Sequence, residues 1–143
     1  MRVTTSLPAP PEEVWAYLRS ISRHVEWMED AVAIRFSTPE TEGVGTTFET
    51  DTRVGPLRLV DKMVVIEWDA ERTMGIRHTG MVTGTGRFTL AAEGPEGGGT
   101  RFTWEEELSF PWWMAGSLGG LAGAPVLRRI WRRNLENLRR HFA

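Results

Sequence analysis

The chain has no cysteine among its 143 residues. That excludes a disulfide framework and all thiolate chemistry, and it suits a reducing compartment. It has one tyrosine, three histidines and one lysine, against sixteen arginines. The arginine bias is what a GC-rich bacterial genome produces and carries no mechanism. An excess of charge of one sign is also missing. The net charge is −2, so no global field favours nucleic acid or an anionic membrane. Met1-Arg2-Val3-Thr4-Thr5 lacks an apolar signal core, so no export signal is read and a cytoplasmic setting is expected. His24, His78 and His141 lie far apart and nothing has metal-ligand spacing, so no metal and no cofactor are expected.

Only one stretch is both long and uncharged, the nineteen residues from Ser109 to Leu127. The length matches a bilayer, but Pro111, Pro125 and four glycines make a poor spanning helix. No stable membrane insertion is expected. Gly116-x-x-x-Gly120 and Gly119-x-x-x-Gly123 match a membrane dimer motif, yet small side chains there equally leave room for packing or for a ligand. Gly43-Val44-Gly45-Thr46-Thr47-Phe48 starts like a dinucleotide loop but ends in Phe, with no helix behind it. Gly116-Ser117-Leu118-Gly119 lacks nucleophile-elbow spacing.

Tryptophan, by contrast, is plentiful, with seven copies. Large rigid aromatics fill cores and line apolar cavities alike. The last part of the chain carries the plainest pattern. From Pro125 to Phe142, Leu127, Ile130, Trp131, Leu135, Leu138 and Phe142 recur at helical spacing, with Arg128, Arg129, Arg132, Arg133, Arg139 and Arg140 on the other side. This spacing predicts a long amphipathic helix. Its arginine face reads first as a solvated surface that also suits the helix C-terminal dipole.

Before it, the pattern has period two. Strands are predicted at Val3–Leu7, Ala31–Phe36, Thr46–Val54, Leu57–Trp68, Arg72–Thr79, Met81–Ala92 and Thr100–Phe110. One face each is set by Phe48, Thr50 and Thr52; by Met74, Ile76 and His78; by Val82, Gly84, Gly86, Phe88 and Leu90; and by Phe102, Trp104, Glu106, Leu108 and Phe110. Met63-Val64-Val65-Ile66 is apolar on both faces and leaves the register of its strand open. Pro10-Pro11-Glu12-Glu13 opens one short helix, and Ser22 is a plausible N-cap for a second before Trp27. No repeat, linker or low-complexity tail interrupts residues 1–143, so one domain is expected.

This order resembles the helix-grip superfamily (START and Bet v 1-like proteins), and in particular its bacterial polyketide cyclase/dehydrase-like branch, part of the group also called SRPBCC. The carriers are Leu7-Pro8-Ala9-Pro10-Pro11-Glu12-Glu13-Val14-Trp15, Trp27, Gly43-Val44-Gly45-Thr46, Glu67-Trp68-Asp69, Gly99-Thr100-Arg101-Phe102-Thr103-Trp104 and Leu127-Arg128-Arg129-Ile130-Trp131. Each is weak alone; their order covers the whole chain. The resemblance implies an α+β fold, with a seven-stranded antiparallel sheet wrapped around the long C-terminal helix, two short helices after strand 1, and an apolar cavity between. It implies no single reaction, and no catalytic residue is carried over from it.

The expected function is binding or carriage of a small hydrophobic molecule such as a lipid, polyketide or isoprenoid. Expected cavity residues are Trp27, Phe48, His78, Phe88, Trp104, Glu106, Phe110, Trp112, Trp113 and Leu121, with Trp27 and at least one of Trp112 and Trp113 closing a hydrophobic gate. Glu106 and His78 interrupt apolar rows. They read either as strand ends beyond the core, with Glu106 in water and His78 bonded to backbone, or as polar contacts inside the cavity. The second placement opens an alternative, a cyclase/dehydrase-type enzyme using Glu106 or His78 for proton transfer. A protein-interaction module is the third reading. The sequence carries no signal for oligomeric state.

Overall fold

The computed structural model describes residues 1–110 and 124–143. Seven strands, β1 (Arg2–Leu7), β2 (Ala31–Phe36), β3 (Thr47–Val54), β4 (Leu57–Asp69), β5 (Thr73–Thr79), β6 (Thr83–Glu93) and β7 (Gly99–Ser109), form one antiparallel sheet in the order β1-β7-β6-β5-β4-β3-β2. Helix α1 (Pro11–Leu18) and a 3-10 turn (Ile21–Glu26) follow β1, and helix α2 (Ala124–Phe142) ends the chain. This is the helix-grip arrangement. Pro11 at the first turn of α1, with Glu12 and Glu13 beside it, suits the positive end of that helix. Pro125 likewise falls in the first turn of α2 and marks its start. No described helix is long and apolar enough to cross a membrane.

The open register of β4 has a physical cause. A bulge lies between Val65 and Glu67, opposite Ile76 and Gly75 of β5. Leu57, Leu59, Asp61, Met63 and Val65 face inward before it, and Trp68, paired with Met74, faces inward after it. The extra residue shifts the parity of the strand, so neither alternation fits its whole length. Trp68 meets Trp15 of α1 edge-on, with centroids 5.1 Å apart.

Helix α2 buries Trp131, Leu135 and Leu138 and leaves Arg132, Arg133 and Arg140 exposed. Trp131 stacks on Trp104 of β7 at 5.0 Å and 25°. The helix also buries a polar residue. Asn134 is fully enclosed; its Oδ1 accepts the Glu29 backbone N–H at 2.9 Å and its amide donates to Asp30 at 2.7 Å. The helix is thereby tied to the segment before β2 by fully partnered polar groups.

Candidate functional site

A cavity of about 150 Å³ lies between the inner face of the sheet, the 3-10 turn and α2. Its walls are mostly aliphatic and aromatic: Leu57, Leu59 and Met63 of β4, Met74 and Ile76 of β5, and Trp131 of α2. Phe48, His78, Phe88, Trp104, Glu106 and Phe110 line it too. Trp27 does not. It is 1 % exposed and packs against His24, Phe88, Phe102 and Trp104, on the far side of the cavity-lining aromatics. The 3-10 turn rolls Trp27 into the core, where its ring fills volume and its indole N–H has no acceptor among the described residues. The expected gate loses that member. Trp112, Trp113 and Leu121, its other part and the remaining sequence candidate, lie outside the described residues.

His78 and Glu106 are neither at protruding strand ends nor bonded to backbone. The His78 side chain is 6 % exposed and Glu106 10 %. His78 Nε2–H donates to Glu106 Oε2 at 3.0 Å, and Nδ1–H donates to the Asp61 carboxylate at 2.9 Å. Trp104 Nε1–H donates to the other Glu106 oxygen at 3.0 Å. Three titratable groups thus converge on a mostly apolar cavity, each hydrogen-bonded to another.

The strand register explains how they meet. His78 on β5 pairs with Gly84 on β6, which pairs with Leu108 on β7; one row along, Ile76 pairs with Gly86, which pairs with Glu106. His78 and Glu106 are therefore two strands apart, roughly 9–10 Å of sheet. Glu106 crosses that gap because β6 presents only glycine to the inner face between them. A Cβ at Gly86 would sit 2.5 Å from Glu106 Oε2. At Gly84, with φ +125°, a Cβ would strike the Glu107 carbonyl oxygen at 1.8 Å. Gly86→Ala is expected to push Glu106 off His78, lowering the His78 pKa by about 1 unit as one of its two anionic partners withdraws. An NMR titration of His78 checks this; an unchanged pKa in a folded variant overturns it.

Burial alone pulls the His78 pKa down, but the hydrogen bonds and charges of Asp61 and Glu106 outweigh it and push it up to about 9. His78 is therefore an imidazolium at neutral pH, with both N–H groups committed. The other cavity histidine is its opposite. His24 is buried, its pKa is pulled down to about 4 by desolvation, and its Nε2–H donates to the Leu18 carbonyl at 2.8 Å. It is neutral, with Nδ1 left as an acceptor. Asp30 also borders the cavity; burial raises its pKa while the Asn134 amide opposes the rise. Among the described residues no group of His, Asp and Glu converges to hold a metal ion. In the cluster itself, His78 stands between its carboxylates, so the three share no common point.

Sequence reasoning missed Asp61. Its signal is the one that marks Glu106: a carboxylate interrupting an apolar alternate row, here Leu57, Leu59, Asp61, Met63. The two-sided apolar run after it hid which row faced inward.

Comparison with known proteins agrees with this architecture. The solved structure of TTHA0849 from Thermus thermophilus superposes with a TM-score of 0.75 at 21 % identity, over 98 % of this chain and 94 % of that one. The Zhui aromatase/cyclase from Streptomyces sp. R1128 gives 0.73 at 13 % identity, over 96 % and 89 %. Toxin Rv0910 of Mycobacterium tuberculosis is 26 % identical over 137 residues, covering 96 % of this chain and 93 % of its own. The family described as "Polyketide cyclase / dehydrase and lipid transport" matches residues 1–143. With the curled seven-stranded sheet, the gripped helix and the cavity between them, the chain belongs to the polyketide cyclase/dehydrase and lipid transport family.

Proposed function

We propose that the cavity binds a small, mostly apolar molecule whose one polar group docks on the Asp61–His78–Glu106 cluster. The observation that carries this reading is the cluster itself, three hydrogen-bonded titratable groups on a mostly apolar cavity. At about 150 Å³ the cavity suits a body of about one ring. A family that spans lipid transport and cyclisation supports an enclosed apolar ligand. Toluene is expected to shift the methyl NMR signals of Leu59, Met63 and Ile76 while leaving exposed Val60 and Ile66 unmoved. Saturating toluene with no shift at the cavity methyls overturns the reading.

A second reading follows from a carboxylate paired with an imidazolium at the cavity wall, and from the aromatase/cyclase among the structural relatives. Here Glu106 takes a proton from carbon next to a carbonyl, and the imidazolium of His78 holds the cluster's charge as that proton arrives. The C–H bond breaks, its electron pair passes to the carbonyl oxygen as an enolate, and the proton rests on Glu106. Exchange with solvent returns a deuteron in D₂O. Deuterium should enter cyclohexanone faster with wild type than with Glu106→Gln. Equal rates rule this reading out.

A further inference from the structure

The cluster has a sign, and the sign selects the ligand. This inference rests on the cavity being a ligand site. Two carboxylates, Asp61 and Glu106, face one imidazole. With His78 protonated the three groups sum to −1, and with His78 neutral to −2. The other described cavity groups do not correct this. Arg87 borders the cavity, but its guanidinium grips Glu67 at 2.8 and 2.9 Å, half exposed. Asp30 adds a further carboxyl. The cavity walls of Trp104, Trp131 and Phe88 are apolar, and charge beside them is screened less than in bulk water.

Hydrogen-bond polarity gives the same answer. A carboxylate has about four acceptor positions. Among the described residues, Asp61 uses its oxygens for the single N–H of His78 Nδ1, and Glu106 accepts His78 Nε2–H and Trp104 Nε1–H. Toward the described residues both keep lone pairs, whereas both His78 N–H groups and the Trp104 N–H are taken. His24 commits its proton to Leu18. The hydroxyls of Thr50 and Thr52 serve in either sense. Among the described residues the polar end therefore offers mainly acceptors and negative charge. A carboxylate or phosphate would meet like charge there; a protonated amine would supply the missing cation and the missing N–H groups.

We propose that the cavity selects a small amine: a protonated ammonium group seated against Asp61 and Glu106, carried on an apolar body of about one ring.

Three probes with one ring and different heads test this at pH 7: toluene, benzylamine and benzoate, each titrated against the intact protein and read at the Leu59, Met63 and Ile76 methyls. Benzylamine is expected to bind at least about tenfold tighter than toluene, and benzoate more weakly than either. Asp61→Asn and Glu106→Gln should each reduce the benzylamine advantage by about tenfold while toluene binding is retained. Toluene binding as tightly as benzylamine, or benzoate binding best, overturns the amine proposal and leaves the cavity reading standing. No shift with any of the three overturns both. The wild-type comparison decides the matter even where a variant fails to fold.

Discussion

Stability is expected to fall on both sides of pH 6.5, by about 3 kcal/mol on each limb, through two histidines of opposite habit. His78 is raised from 6.5 to about 9, so the folded state holds its proton more tightly than the unfolded chain. Its contribution is complete below pH 6.5 and disappears as the pH climbs through 9. His24 is lowered from 6.5 to about 4, so folding excludes its proton. Its contribution is complete above pH 6.5 and disappears as the pH drops through 4. Asp30, whose carboxyl is raised by burial, works against the acid limb in part. Exposed pairs such as Arg35–Asp51 and Arg19–Glu42 are screened by water and add little. Urea midpoints at pH 4, 6.5 and 9 measure the curve. His78→Gln should flatten the alkaline limb alone, and His24→Gln the acid limb alone. A wild-type profile flat from 6.5 to 9 would show that Asp61 and Glu106 do not hold a charged imidazole between them.

Trp131→Ala is expected to cost about 3–5 kcal/mol, against less than about 0.5 for Arg132→Ala one position along. Trp131 is 5 % exposed and supplies the face that stacks on Trp104, so its removal opens a hole between α2 and β7 next to an existing cavity. The neighbours cannot close it without moving the helix. Indole added to the variant should occupy the hole and recover part of the lost melting temperature, rising with indole concentration as mass action requires. A midpoint equal to wild type would mean that α2 does not rest on Trp104.

The alternating rows of β3, β5, β6 and β7 were legible because each strand buries one face, and a period of two has only two registers. Phe102, Trp104, Glu106 and Leu108 could be assigned together for that reason. Helix α2 was legible on the same grounds, with Trp131, Leu135 and Leu138 on one stripe. The misses have separate causes. β4 contains a bulge, and a bulge is a local break in the very periodicity used to find strands; Asp61 disappeared with it. Asn134 sits among arginines in sequence and reads as surface, although its bonds to Glu29 and Asp30 offset the cost of burying it. Trp27 is a large aromatic beside a turn, and only three-dimensional packing decides whether such a ring faces the core or a cavity. The joining of Glu106 to His78 depended on a side chain crossing a strand whose relevant feature is the lack of side chains at Gly84 and Gly86.

The strand order also sets how the chain reaches this state. From β2 to β7 every pairing is between sequence neighbours, so six strands can zip together hairpin by hairpin with short loops to close. β1 is different. Val3 pairs with Trp104 and Leu7 with Thr100, so this strand must return across nearly the whole chain to dock on β7, beside the residues that build the cluster. A chain with its meander formed and β1 undocked would carry Trp104 and Glu106 on a bare sheet edge. Docking of β1 is thus the long-range event of folding, and substitutions along Val3–Leu7 should act chiefly on the rate at which the finished molecule comes apart.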